Sequence, residues 1–386
     1  MLKDKKIVSK IFIIALAIAG ILIFASPTKE ISYEERRPLS TWPEFTWENL
    51  VSGDYFSDLS SALADQMPYR TELLGLKARL QKSIQKKDNS RVYFADDGHL
   101  VMMNTELAEA NLDRNIEDML SFYNEKFKQS EDAKEASLLL APTISGVAPE
   151  ILPKYNPDVE QEPIINRALA LTKDSDFIAP QLLEALKTAK TNVDAVSDLY
   201  FKTDHHWTQT GAKVAFEEFL KDSNLEKQAD IKYEKELVSS KFYGTNWAKA
   251  STKAIAPDKV YAYENEALDE VKLYDQNGEL IRTGYYNEEA KDSYDPYEYF
   301  IGENRDYLRL ETNSHTGRNL LLFKDSYANA FTAFLTPYYD NITIIDLRYF
   351  ADNIDDVLAQ EDFTDLMFLY NLETLAGDNN IYKLIK

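Results

Sequence analysis

Apolar positions fall along this chain in three patterns, and each predicts a different element. The first is one long run. "IFIIALAIAGILIFA" (11–25) holds fifteen uncharged residues behind the basic "MLKDKKIVSK". As a helix it spans roughly 22 Å, short of a hydrocarbon core of about 30 Å. Ile7, Val8 and a snorkelling Lys10 extend its reach. A signal peptide has a similar run, but Phe24 and Pro27 spoil the small-residue cleavage pattern. An uncleaved anchor is the favoured reading, with a cleaved signal as the rival; either way the lysines stay in the cytoplasm and the body is exported. The second pattern is helical spacing. It marks 47–87 with a break near Pro68, roughly 105–130, much of 160–190, and "QTGAKVAFEEFL" (209–220). The third is the short continuous apolar run, the mark of a strand buried on both faces. "ASLLLAPT" (136–143), "NLLLF" (319–323), "NITIIDL" (341–347) and "DLMFLYN" (365–371) carry it.

Such runs alternating with helical stretches predict an α/β fold, a parallel sheet flanked by helices. "RVYFADDGHLVMM" (91–103) predicts a hairpin at Asp97-Gly98, and "VKLYDQNGELIRTGYY" another at Asn277-Gly278. The second lies in a charged, tyrosine-rich stretch read as a β-rich insertion over about 230–300. The predicted organisation is a basic cytoplasmic tail (1–10), a membrane segment (11–26), a proline-punctuated tether (27–46) and one α/β domain (47–386).

Composition narrows the partners. The net charge is -22, although the first ten residues hold four lysines against one aspartate. So acidic a body does not read as a nucleic-acid binder, which needs basic surface for phosphates, and its folded part is not expected to cling to anionic lipid, though a local basic pocket stays compatible with the total. The absence of cysteine removes disulfides, thiolate catalysis and thiolate metal sites.

Two stretches could carry chemistry. In "LLLFKDSYANAFTAFL" an apolar strand gives way to a helix with Ser326 between them. A serine there lies at the carboxyl edge of the sheet, where open α/β folds bind ligands, and at a helix N-terminus that favours developing negative charge. That suits a nucleophile, but on this stretch alone a simple N-cap is the plainer role. In "YFKTDHHWTQTGA" (200–212) two of the four histidines are adjacent. On an extended segment Asp204 and His206 share a face, so the carboxylate would hold one imidazole nitrogen while His205 points the other way. A capped turn with two satisfied histidines is the alternative. No metal and no cofactor are expected: there is no HExxH pattern, and His99 and His315 are isolated. Tyr327 and Arg348 are candidates to line the site, and Trp207 to stack on a sugar ring; core packing for Trp207 and a surface ion pair for Arg348 are the plainer roles.

"LYFKTDHHWTQTGA", "FYGTNW", "FIGEN" and "LLLFKDSYANAF", with "ERRPLSTWPEF" and "ADQMPYR" upstream, together resemble the DHHW family, which is similar to the SGNH-hydrolase-like proteins of alginate O-acetylation. The resemblance implies an SGNH-like fold, circularly permuted because Asp and His precede the serine. It also implies a triad with Ser326 as nucleophile, His206 as general base and Asp204 as its orienter. Lys324 stands where the usual Gly-Asp-Ser has its glycine. Gly244 and Asn304 are candidate oxyanion or substrate-binding residues, with Asn246 a rival. The implied activity is extracytoplasmic O-acylation of a cell-surface or secreted polysaccharide, beside a multi-spanning membrane O-acyltransferase that supplies the acyl group. An esterase with the same triad, or a non-catalytic polysaccharide-binding or assembly factor, are the alternatives.

Overall fold

The computed structural model describes residues 2–226, 231–250 and 255–386. They group into two compact units, Met1–Asn89 with Trp247–Ala256, and Ser90–Asn246 with Pro257–Lys386. The first holds α1 (Leu2–Ala25), a short bridge of β1 (Ile31–Ser32) and β2 (Arg37–Pro38), and helices α2 (Trp47–Ser52), α3 (Asp54–Asp65) and α4 (Arg70–Ser83). Its polar centre is Asp65, which receives Arg37 and the Ser40 N–H. Among the described residues no helix is long and apolar enough to cross a membrane. In α1 the side chains of residues 2–6, 8, 15, 16 and 19 lie outside the described set.

The second unit opens with the expected hairpin, β3 (Val92–Phe94) and β4 (Leu100–Met102), then α5 (Glu109–Glu125). Next come β5 (Glu135–Ala141), α6 (Ile144–Val147), α7 (Gln161–Ala170), β6 (Phe177–Ile178), α8 (Leu182–Lys190) and α9 (Gln209–Asp222). Thr208 caps α9 by accepting the Gly211 N–H. β7 (Glu234–Phe242), α10 (Thr245–Ala250, of which Trp247 onward is counted with the first unit), β8 (Asp258–Glu264), α11 (Glu266–Asp269), β9 (Lys272–Tyr274) and β10 (Leu280–Thr283) follow. The chain closes with β11 (Tyr307–Glu311), β12 (Asn319–Lys324), α12 (Ala328–Phe331), β13 (Asn341–Ile345), α13 (Ile354–Leu358), β14 (Asp365–Asn371) and α14 (Leu372–Gly377).

The central sheet has the order β10-β9-β11-β13-β12-β14-β5-β6. From β13 to β6 every pairing is parallel. Its buried part is β13, β12, β14 and β5, and all seven residues of β14 are buried. Phe323 of β12 stacks on Phe368 of β14 at 5.3 Å between ring centroids, and Phe122 of α5 meets Phe323 edge-on at 5.6 Å. Burial on both faces is why these strands read as unbroken apolar runs. β11, β9 and β10 add an antiparallel edge. The stretch expected as a β-rich insertion therefore divides. β7 and β8 make a sheet of their own, while β9 and β10 widen the main one. The hairpin has the expected turn, and its β9 strand pairs with β11.

This topology sets the site. The carboxyl ends of β12, β14 and β5 lie along one edge of the sheet, because Phe323 pairs with Phe368 and Asn371 with Ala141. β11 runs the opposite way, with Tyr307 opposite Ile345, so the loop preceding β11 opens on that same edge.

Candidate active site

Ser326 is in the turn immediately after β12. Asp325 fastens that turn: its carboxylate accepts the Tyr327 N–H at 2.8 Å and both the backbone N–H (2.8 Å) and side-chain amide (2.6 Å) of Asn371 at the end of β14. Burial pushes the Asp325 carboxyl up, and these donors work against that rise. The Ser326 carbonyl accepts the Tyr297 hydroxyl at 2.9 Å. Among the described residues, the Ser326 backbone N–H is given to no acceptor. α12 is a single short turn of four residues, so its dipole is smaller than the sequence pattern suggests.

The segment 200–208 is a pinched loop rather than an extended strand. Tyr200 and Trp207 form an isolated antiparallel bridge, and the Tyr200 hydroxyl donates to the Pro142 carbonyl at 2.8 Å. Asp204 then folds back on its own chain, with Oδ1 accepting the His206 backbone N–H at 3.0 Å and lying 2.5 Å from His206 Nδ1. The expected i, i+2 partnership is present, but a side-chain-to-backbone turn makes it, not a shared strand face. His206 Nε2 lies 2.7 Å from Ser326 Oγ. An ionised Asp204 only accepts, so it assigns the proton to Nδ1 and leaves Nε2 to accept from the serine. Asp204, His206 and Ser326, 120 residues apart in sequence at the last step, are thus one hydrogen-bonded line.

His205 does not point away as expected. Its ring lies against that of His206, centroids 3.8 Å apart, and its Nδ1 is 2.6 Å from Thr245 Oγ1. On the other face Tyr297 stacks on His206 at 4.0 Å and an interplanar angle of 10°. The imidazole next to the serine is therefore clamped between two rings.

The second Asp204 oxygen is satisfied from α10. Oδ2 accepts the Thr245 N–H at 2.7 Å and its hydroxyl at 3.1 Å. Since that hydroxyl proton goes to Asp204, His205 Nδ1 donates to Thr245. Burial by itself would raise the Asp204 pKa, but the adjacent histidines His205 and His206 hold it well below the usual carboxylate range. Beneath the loop, buried Asp258 accepts the Lys202 and Thr203 N–H groups and the Thr203 hydroxyl.

The remaining candidates have other partners. The Gly244 N–H goes to Thr203 Oγ1 at 3.0 Å, so it is not an oxyanion donor. Gly244 matters for room, because a Cβ there would overlap the Asp204 side chain. Gly244→Ala is expected to cost about 1–3 kcal/mol and to displace Asp204. Thermal melting and the rate of serine acylation should both fall. Asn246 is buried and its amide donates to the Leu100 carbonyl at 2.7 Å, which removes it as a rival. Trp207 does not face a sugar; it is wholly buried, and its indole N–H donates to the Tyr327 carbonyl at 2.9 Å. Tyr327 is also buried, with its hydroxyl on the His205 carbonyl, so it braces the loop from behind. Arg348 forms a two-pronged pair with buried Asp346, at 2.8 and 2.5 Å.

Asn304, in the loop before β11, is exposed, and its amide orientation is chemically determined. Lys324 Nζ can only donate, and it lies 2.9 Å from Asn304 Oδ1 and 2.8 Å from Asn329 Oδ1. The Asn329 amide nitrogen then also meets Asn304 Oδ1, at 3.3 Å. The Asn304 oxygen is fully engaged, so its NH₂ is the end left for a ligand. Lys324 itself is buried, and desolvation, partly offset by Asp346, brings its pKa down to about 8.

Asp204, His205 and His206 bring three potential metal-ligand atoms within 4.8 Å of one another. Both Asp204 oxygens already hold donors, so a cation would have to displace His206 or Thr245. Sequence reasoning passed over Thr245 and Tyr297. "FYGTNW" marked Thr245's neighbourhood without its role, and nothing in "DPYEYF" marked Tyr297.

Residues 189–345 match the family described as DHHW protein, and residues 92–245 match the SGNH hydrolase-like domain, acetyltransferase AlgX. A DHHW family protein from Eubacterium siraeum is similar in structure at 22% identity, with a TM-score of 0.61, over 76% of this chain and 94% of that one. PatB1 of Bacillus cereus is similar at 19% identity and a TM-score of 0.62, over 76% and 99%. Its form with a sulfonyl adduct gives 19% and 0.60, over 76% and 96%. No curated protein matches. The chain resembles the DHHW family and is similar to the SGNH hydrolase-like acetyltransferase domain, and the structural likenesses show a shared mixed α/β fold.

Proposed function

We propose, from this resemblance and from the line of Asp204, His206 and Ser326, that the protein is an O-acyltransferase that acetylates a polysaccharide through an acyl-serine. The single observation that carries the reading is that line, with 2.5 Å at one end of the imidazole and 2.7 Å at the other. Ser326 Oγ attacks the acyl carbonyl carbon as its proton passes to His206 Nε2. Asp204 stabilises the imidazolium from Nδ1. The oxyanion is received by the Ser326 N–H and the outward NH₂ of Asn304. The leaving group departs with the proton from Nε2. His206 then takes the proton of a sugar hydroxyl, whose oxygen attacks the acyl-serine carbonyl carbon, and Nε2 returns that proton to Ser326 Oγ as the serine ester bond breaks.

Under the same proposal, α1 anchors the chain with the lysines inside and the body outside. Support comes from its exposed isoleucines, Ile11, Ile13, Ile14, Ile18 and Ile21 among them, which need apolar surroundings. A multi-spanning membrane protein would supply the acyl group. The test is partition of the intermediate. The full chain is loaded with an activated acetyl ester, and loss of the acetyl mass is followed with and without candidate glycans. Faster discharge with a glycan, with acetate appearing on the sugar, is the expected result. Equal discharge into water across acceptors makes the protein an esterase. No acetyl mass at all leaves the non-catalytic binding or assembly role.

A further inference from the structure

Helix α4 has its apolar face on the outside. α4 runs from Arg70 to Ser83, and the Ile84 N–H continues its bonding to the Leu80 carbonyl. At 100° per residue, Leu73, Leu76, Leu80 and Ile84 fall within an arc of about 80°. All four are exposed, Leu80 at 59% and Ile84 at 75%. The opposite arc carries the small residues Gly75 and Ala78, and these are the buried ones. An ordinary surface helix does the reverse.

The charges around the stripe say what covers it. The protein is strongly acidic, yet Lys77, Arg79, Lys86 and Lys87 accompany this helix, with Glu72 the one acid between Arg70 and Lys87. Arg70 is committed to Glu35, and Lys86 lies 4.0 Å from Asp88 just beyond the helix. A second copy of the chain would bring Lys77 and its neighbours against their like. A leucine stripe with basic flanks instead complements a surface that is apolar beneath and negative at its rim. The same unit carries the apolar α1 and exposes Trp47 and Val51 on α2, residues suited to the headgroup boundary.

We infer that α4 lies flat on an anionic phospholipid bilayer, its leucines in the acyl boundary and its lysines at the phosphates. This does not depend on the acyl-transfer reading. Nor does it require α1 to span, since a surface helix and a spanning helix are read by separate labels. Both family matches begin at or beyond residue 92, so they say nothing of it.

The chain has no cysteine, so one introduced thiol takes a single label. Full-length protein carrying an environment-sensitive dye at Leu76→Cys is reconstituted with phosphatidylcholine alone or with added phosphatidylglycerol. Ile13→Cys reports α1, and Leu237→Cys, exposed on β7, serves as the aqueous control. With phosphatidylglycerol the Leu76 label should shift to the blue and be quenched by doxyl lipids. Lys77→Glu combined with Lys86→Glu should reduce both effects, as should about 1 M salt, where screening reaches only about 3 Å. The Leu237 label should not move. An unchanged Leu76 signal between the two lipids overturns the inference, whatever the Ile13 label does. So does a blue shift without lipid quenching that grows with protein density, the sign of a dimer seam. Equal immersion of the Leu237 label also overturns it, since that is non-specific adsorption.

Discussion

Ser326→Ala should abolish acyl-enzyme formation, lowering the acylation rate on the order of a million-fold. Wild-type protein incubated with an activated acetyl ester should gain one acetyl mass on the peptide that contains Ser326, and the variant should gain none there. The fold should survive. The hydroxyl makes one hydrogen bond, to His206 Nε2, and its loss costs about 1 kcal/mol. Unchanged melting with lost labelling separates a chemical from a structural role. Should the two proteins label equally, Ser326 is no nucleophile, and the assembly role becomes the better account of the site.

Asp204→Asn is the second large effect. Four donors converge on this carboxylate: the His206 N–H and Nδ1–H on Oδ1, and the Thr245 N–H and hydroxyl on Oδ2. An amide must turn its own NH₂ toward one of those pairs. Facing either pair it meets a backbone N–H that cannot rotate away, that of Thr245 or that of His206, an unmet group worth about 1–3 kcal/mol. Facing His206 it also forces the proton to Nε2, where the serine needs a base. That arrangement should cut acylation by about 10⁴-fold with the shape preserved. Because Asp204 is held below the usual carboxylate range, its ion contributes in full above the unfolded value of about 3.9 and is lost as pH falls through its depressed folded pKa. Wild type should therefore lose part of its stability at acid pH, and the Asn variant, which lacks that titration, should lose less there. Identical acid melting curves and an unchanged rate would remove Asp204 from the account.

Legibility followed the physics of each signal. The parallel strands were plain because burial on both faces leaves no polar alternation, as in "NLLLF" and "DLMFLYN". The pairing of Asp204 with His206 was legible from spacing, but its geometry was misread, since a side chain that turns back on its own backbone has no period. Gly244 was noticed for the wrong reason: its N–H is spent on Thr203, and what the position supplies is an absent Cβ beside Asp204. No residue pattern announces a missing atom. Tyr297 comes from a single 3₁₀ turn (Pro296–Tyr299) in a tyrosine-rich stretch, where nothing distinguishes the ring that stacks on His206 from its neighbours. β9 and β10 were recognised as a hairpin, but which sheet a hairpin joins depends on a partner more than thirty residues away.

The strand order has a consequence for how this chain comes into being. β14, made after both of its neighbours, sits between β12 and β5, which have no contact in the sheet without it. Until residue 371 has emerged, both neighbours present open edges, and the Asn371 donors that fasten the Asp325 turn do not exist. Closing β14 against β5 joins segments some 230 residues apart, a high-contact-order step that is slow by nature. An unfinished or truncated chain is therefore without a poised serine and exposed to aggregation through its edges. Reactivity arrives late, with completion of the sheet, and Trp207, wholly buried and bonded to Tyr327, should report that moment in its fluorescence.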